Sequence, residues 1–351
     1  MITFAPGPSK VYERVPTYFH DAYAQGILSA NHRSEVFMNL YKDTEEVLKG
    51  KLKVPADYKL LFTSSATENW EIITQSLVSH SSFHIYSGSF GKKWFGFAKH
   101  ILETSEGLVL KPNEEINVQE LEMGESHDVV AITQNETSNA TQVSMETIKA
   151  IGKKFPDHML AIDTTSSMAG IFLDFSLADI WYASVQKCFG LPAGLGVLIL
   201  SPKAVEKAQA LGENGRYNSL NFMLENAANY QTHYTPNVLG IYFLNRVLHD
   251  IQPIEKIHEE TESRMKAMEK IIAQSSSLDF LVKNERTRSR TVLGVSGEEK
   301  FIQQVKKEAL GQGMQLGSGY GSLKPTSFRI ANFPALTNED ITRLSQFLKN
   351  Y

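Results

Sequence analysis

The chain has 351 residues, with 35 Lys and Arg against 39 Asp and Glu, a formal net charge of −4, and 42% of its residues are hydrophobic. That composition supplies a sizeable core and excludes a mainly disordered chain, and the length suggests about two domains. The slightly acidic balance excludes the clustered basic surface that nucleic acid or an anionic membrane requires, so neither is expected as a partner.

From the N-terminus, Met1 to Pro8 has no basic stretch and no apolar run, which does not fit a signal peptide. No segment reaches the ~20 consecutive apolar residues of a membrane span. The expectation is a soluble, cytoplasmic protein. Short apolar runs then alternate with amphipathic segments. Strands are expected at 59–62, 83–86, 129–133, 159–162, 180–183 and 197–200, and helices at 67–78, 92–102 and 145–155. This alternation predicts an α/β layer fold with a mostly parallel sheet, whose ligand site lies at the carboxyl ends of the strands.

After about residue 245 the rhythm changes. A long helix is expected over 254–272, with Ile254, Ile257, Met265, Met268 and Ile272 near helical spacing. Short strands follow at 280–282, 291–295 and 328–331, with a helix at 298–309 between the last two. The final helix starts at Thr337, whose hydroxyl can cap it while Asp340 sits near the positive end of its dipole. This reads as a smaller α+β domain. The boundaries predicted are 15–245 for the large domain, with 1–14 and 246–351 forming the small one.

Three strand ends carry the chemistry. After the run at 180–183 come Gln186, Lys187 and the only cysteine, Cys188, then a turn, Gly190-Leu191-Pro192-Ala193-Gly194, and a second apolar run. A lysine at a strand end with permissive backbone around it suits a covalent bond to a carbonyl compound, although a surface lysine on a tight turn would read the same. Upstream, the run at 159–162 ends in Asp163, either a helix cap or the acid that pairs with a protonated ring nitrogen. Further upstream, Ser65, Ala66 and Thr67 pass from a strand into a helix, as a simple cap or as donors to a phosphate at the helix's positive end. A single cysteine leaves no intramolecular disulfide and no cysteine-based zinc site, and fits a reducing compartment. His80 and His84 straddle a helix end and a strand start, so they do not share a helical face as metal ligands would. Asn135-Glu136-Thr137 and Asn139-Ala140-Thr141 are sequons, but without secretion they are to be read for other chemistry.

The order phosphate turn, carboxylate, lysine resembles the class V (subgroup IV) pyridoxal-phosphate-dependent aminotransferases over nearly the whole chain. The resemblance begins at Phe4-Ala5-Pro6-Gly7-Pro8 and continues through His32-Arg33-Ser34, Ser65-Ala66-Thr67, Asn135-Glu136-Thr137, Asp163, Gln186-Lys187 and Ser327-Phe328-Arg329. It is nearest to the phosphoserine aminotransferases, which implies amino transfer between O-phosphoserine and 2-oxoglutarate in serine biosynthesis. It also implies fold type I, the aspartate-aminotransferase-like fold, with pyridoxal 5'-phosphate as cofactor and a homodimer as the assembly.

Residue by residue, the resemblance implies that Lys187 bonds the cofactor and moves the substrate's α-proton, and that Asp163 pairs with the pyridine nitrogen. Thr137 would hydrogen-bond the phenolic oxygen, and Ser65, Ala66 and Gln186 would bind the phosphate. Phe90 stands where the family stacks a tryptophan on the ring. Arg329, in an apolar strand where an uncompensated guanidinium would be costly, would hold the substrate α-carboxylate. His32 and Arg33 would meet the distal anion. Thr235 would reach the neighbouring subunit's cofactor phosphate, with Tyr234 before it in place of the usual asparagine. Thr67, in the phosphate-binding turn, and Ser322-Leu323 stand where bacterial phosphoserine enzymes often carry basic residues. An aminotransferase for serine or alanine with glyoxylate or pyruvate is therefore the alternative within the fold. A cysteine desulfurase is disfavoured because Cys188 adjoins the lysine. A non-enzymatic binding protein is disfavoured because Lys187 and Asp163 are both present.

Overall fold

A computed structural model describes residues 1–124 and 126–351. In chain order the N-terminal part forms β1 (Ile2–Phe4), α1 (Val15–Ala24), α2 (Glu35–Leu52), β2 (Lys59–Thr63), α3 (Ala66–Leu77), β3 (Ser81–Tyr86), α4 (Ser89–Ile101) and β4 (Glu106–Val109). The centre forms β5 (His127–Thr133), a small ribbon of β6 (Asn135–Glu136) and β7 (Thr141–Gln142), α5 (Met145–Lys154), β8 (Met159–Asp163), β9 (Ile180–Ser184), β10 (Gly196–Leu200), α6 (Pro202–Leu211), α7 (Leu220–Ala227) and α8 (Val238–Asp250). The C-terminal part forms α9 (Ile254–Gln274), β11 (Asp279–Phe280), β12 (Val292–Ser296), α10 (Glu299–Gly311), β13 (Met314–Ser318), β14 (Ser327–Ala331) and α11 (Asn338–Leu348).

Seven strands form the central sheet in the order β2-β10-β9-β8-β5-β3-β4. Only β10 runs antiparallel to its neighbours; the β3–β4, β3–β5, β5–β8 and β8–β9 pairs are parallel. Side chains alternate across the sheet, so each face buries its own core. Phe62, Ile132, Ile162, Trp181 and Val197 pack toward α2, α5 and α8. Leu61, Ala131, Ala161, Tyr182 and Leu198 pack toward Trp70 of α3, Trp94 of α4 and the apolar faces of α6 and α7.

A second sheet, β1-β13-β14-β12-β11, forms from the two ends of the chain, with β1 parallel to β13. Helix α11 opens with the predicted Thr337 cap, which Asp340 closes into a reciprocal capping box. Thr337 accepts the Asp340 amide, the Asp340 carboxylate accepts the Thr337 amide, and Lys10 reaches the same carboxylate at 2.7 Å. The N-terminal segment is thereby tied to the last helix.

The expected strands and helices are present with shifted ends, and the shifts have a physical reason. Strands β2, β8 and β9 run one residue past the apolar runs, to Thr63, Asp163 and Ser184. All three are buried polar residues, which a hydropathy pattern reads as loop although they continue the ladder. The strand expected at 280–282 is only Asp279–Phe280. Elements with no clear apolar signal were missed: the three-residue β1, the exposed edge strand β4, and β13, whose Met-Gln-Leu-Gly-Ser sequence alternates weakly. Helices α1, α2, α6, α7 and α8 lay in stretches that were left unassigned.

Candidate active site

The carboxyl ends of β5, β8 and β9 converge on a cavity of about 250 Å³ lined by Ala66, Thr67, Phe90, Thr137, Asp163, Gln186, Lys187 and Arg329, among others. Larger grooves elsewhere, such as that of about 720 Å³ beside Glu45, Lys49 and Tyr230, lie on the surface away from any strand end bearing a buried lysine.

Lys187 follows β9 on a turn closed by Gly190, whose amide donates to the Lys187 carbonyl at 2.9 Å and whose φ is +61°. The N-terminal segment folds over it. Ser9 donates to the carbonyls of Gln186 and Lys187, and a Cβ at Gly7 would lie 3.1 Å from Lys187 Cε. Within the cavity the ammonium donates to Thr137 Oγ1 at 2.6 Å. Burial pushes this lysine down to about 8, against the opposing pull of the Asp163 and Glu136 carboxylates. An amine poised there is partly deprotonated near neutral pH, as a nucleophile and proton carrier must be.

Asp163 closes β8 and stands in one cross-strand row with Thr133 of β5 and Tyr182 of β9. Its Oδ1 accepts the amide and hydroxyl of Thr165 at 2.9 and 2.6 Å. Burial raises its pKa, while the Thr165 hydrogen bonds and the Lys187 charge lower it. The flanking Thr133 Oγ1 and Tyr182 Oη, and the indole N–H of Trp70 on the cavity wall, are buried without partners.

Arg329 enters from β14 of the second sheet. Its Nε donates to the Ser318 carbonyl at 2.9 Å and Nη1 to the Thr137 carbonyl at 2.7 Å. It is 9% exposed, and its two partners are neutral carbonyls rather than a carboxylate. A structural ion pair is therefore not what holds it. Tyr320 adds its ring 5.6 Å from the guanidinium and 5.5 Å from the Phe90 ring. The Lys187 ammonium lies 5.2 Å from the centre of the Phe90 ring.

Several predicted residues stand elsewhere. Ser65 does not line the cavity; its hydroxyl caps α3 by accepting the Glu68 amide at 3.2 Å. The Ala66 amide at the start of α3 donates to Ser184 Oγ at 2.7 Å. His32 and the exposed Arg33 sit in the turn before α2, and Thr235 is exposed in the loop before α8; none lines this cavity. Trp70, Thr165, Ser184 and Tyr320 line the site and were not anticipated. Trp70 follows Ala66 by four residues on α3, so helical spacing alone would have placed it on the same face.

A planar, anionic aldehyde cofactor fits these residues. Its reactive carbon would find a buried amine, its ring nitrogen a buried carboxylate beside unpartnered hydroxyls, its face an aromatic ring, and its phosphate the first turn of α3.

A family model described as aminotransferase class-V matches residues 4–345. The fold superposes on the crystal structure of a phosphoserine aminotransferase from Cytophaga hutchinsonii with a TM-score of 0.96, at 34% identity over 99% of this chain and 98% of that one. The phosphoserine aminotransferase of Rhodococcus opacus (strain B4) is 24% identical over 98% of this chain and 93% of its own length. An aspartate aminotransferase of subgroup IV from Thermus thermophilus shares the fold, with a TM-score of 0.86 over 100% of this chain and 98% of that one at 18% identity.

Proposed function

Because the chain belongs to the class V aminotransferases, fold type I enzymes that use pyridoxal 5'-phosphate, we propose that it transfers the amino group between O-phosphoserine and 2-oxoglutarate. The observation that carries this reading is one cavity holding both the buried Lys187 amine and a buried Arg329 guanidinium whose partners are neutral carbonyls. The choice of phosphoserine is supported by the likeness to the Cytophaga hutchinsonii enzyme.

When bound, the cofactor supplies the electron sink that lets a substrate lose its α-proton. The chain's own residues do the rest. Lys187 would hold the cofactor through its amine, and as a buried, partly deprotonated amine it would serve as the base that takes the substrate's α-proton and the acid that returns it. Asp163, its orientation fixed by Thr165, would pair with the ring nitrogen and favour its protonated form. Thr137 sets the position of the amine through its hydroxyl and that of Arg329 through its carbonyl. Arg329 receives the α-carboxylate, for which its planar fork is suited. Phe90 would cover one face of the ring, and Ala66, Thr67 and Gln186 would hold the phosphate.

His32, Arg33 and Thr235 complete the site in a homodimer, where they would face the partner's cavity. The chain divides at 15–245, carrying the cofactor, and 1–14 with 246–351, carrying Arg329; the pairing of β1 with β13 supports this division. A cytoplasmic location suits the reaction, and no helix among the described residues is long and apolar enough to cross a membrane.

The test is a matrix of half-reactions with phosphoserine, glutamate, alanine and serine, following discharge of the lysine-bound chromophore. Phosphoserine and glutamate should react fastest. Alanine or serine outpacing phosphoserine would favour the serine or alanine transaminase reading, which Thr67 at the cavity wall and Ser322-Leu323 support by lacking basic groups.

A further inference from the structure

Glu136 is a carboxylate only 1% exposed, and none of the roles above uses it. Its side chain turns back beneath the start of α4. Oε2 accepts the amides of Phe90 and Gly91, each at 3.0 Å, and Oε1 accepts the Ser138 amide at 2.9 Å. Phe90 and Gly91 are the second and third residues of α4, where unpaired N–H groups and the helix dipole favour an anion. The approach depends on Gly88, since a Cβ there would lie 2.4 Å from Glu136 Cγ and 2.6 Å from Ser138 Oγ.

A neutral Ser, Thr or Asn caps a helix adequately, so capping alone does not call for a buried charge. Two buried cations converge on the next residue, Thr137, which takes the Lys187 ammonium on its hydroxyl and the Arg329 guanidinium on its carbonyl. Lys187 is pushed down by burial and by Arg329, and is held up by Asp163, Glu136 and Cys188. Arg329 is likewise pushed down by burial, with Glu136 the first group opposing that effect.

We propose that Glu136 is a positioning residue that holds the Phe90 ring over the cofactor through the α4 backbone and supplies the counter-charge shared by Lys187 and Arg329. The inference rests on the cofactor reading above.

Two variants of the holoenzyme separate the two halves. Glu136→Gln keeps volume and one acceptor oxygen for the Phe90 and Gly91 amides, but removes the charge and the acceptor of the Ser138 amide. Gly88→Ala keeps the charge but drives a methyl group into the Glu136 side chain. Removing an anion makes a nearby cationic proton easier to lose, so Glu136→Gln should lower the protonation midpoint of the lysine-bound chromophore by about one pH unit, with its circular-dichroism band kept. Gly88→Ala should weaken that band, because the ring over the cofactor shifts, and should move the midpoint less than Glu136→Gln does, because the charge is displaced and not removed. Thermal unfolding of both variants controls for general damage, and Glu136→Gln, isosteric with wild type, is expected to fold. A wild-type midpoint in Glu136→Gln, or an unaltered band in Gly88→Ala, would overturn the proposal and leave Glu136 a helix cap. Failure of the cofactor reading has a separate signature that would overturn both: wild-type protein mixed with pyridoxal phosphate would give no Lys187-dependent chromophore.

Discussion

Arg329 donates to the backbone carbonyl of Thr137 at 2.7 Å, and Thr137 in turn receives the Lys187 ammonium on its hydroxyl at 2.6 Å. One residue at the end of β6 therefore sets the spacing between the group that would hold a substrate carboxylate and the amine that would act on its α-carbon. Because its Nε and Nη1 donate to neutral carbonyls and no carboxylate among the described residues is hydrogen-bonded to it, the guanidinium has donors left for a ligand's carboxylate.

Arg329→Ala should lower kcat/KM for phosphoserine, glutamate and alanine alike. A charge-assisted hydrogen bond contributes roughly 1.5–3 kcal/mol, so the loss should be about ten- to a hundredfold. Steady-state kinetics with the three substrates check it. Selective loss for one of them would place Arg329 at a distal group instead.

Lys187 supplies a pH prediction. A lysine pushed from 10.5 down to about 8 by burial becomes a free amine in the region of pH 8. In protein stripped of cofactor, the rate of chromophore formation with added pyridoxal phosphate should rise through a midpoint near pH 8, and Lys187→Ala should form none. A midpoint near 10.5 would mean that the amine is solvated in solution.

The sheet is legible because the apolar runs mark the strands; Asp163 directly follows one run, and Lys187 stands four residues after the run at 180–183. A hydroxyl before a helix reads the same whether it caps the helix or meets a phosphate; Ser65 Oγ accepts the Glu68 amide, which leaves its O–H to donate elsewhere. Tyr320 was invisible because it lies in a loop between β13 and β14, and only the folding of the second sheet brings it to Phe90. Arg329 was legible from cost alone: a guanidinium inside Phe328-Arg329-Ile330-Ala331 requires a reason.

Assembly is the next expectation. If His32, Arg33 and Thr235 face a partner's cavity, sedimentation should show a dimer. Arg33→Ala should then slow phosphoserine and glutamate by about tenfold or more, the size of one charge-assisted contact, and spare alanine. With Thr67, Ser322 and Leu323 contributing no charge, Arg33 carries an unusual share of the distal anion. A fully active monomer would contradict this arrangement.

The last prediction concerns His84, buried in the middle of β3. Its Nε2 lies 2.9 Å from Ser82 Oγ, its Nδ1 has no partner, and its ring meets Trp94 edge-on at 5.3 Å and Phe95 at 5.6 Å. Burial, with a smaller contribution from His127, lowers it from 6.5 to about 3. The unfolded chain therefore takes up a proton below pH 6.5 that the native state refuses until about pH 3. Stability from this group is complete above pH 6.5 and is lost progressively as the pH falls toward 3. At about 1.4 kcal/mol per pH unit, the loss between pH 6.5 and 4.5 is roughly 2–3 kcal/mol. Urea unfolding at a series of pH values measures the slope, and His84→Gln, which carries no titrating ring, should flatten it by that amount. Carboxylates held below 3.8, such as Asp128 and Asp340, lose their contribution mainly at more acid pH, whereas Asp163 is raised, so the difference between wild type and His84→Gln, and not the total slope, reports this ring. An equal slope in wild type and His84→Gln would show that this ring is protonated in the native state without cost.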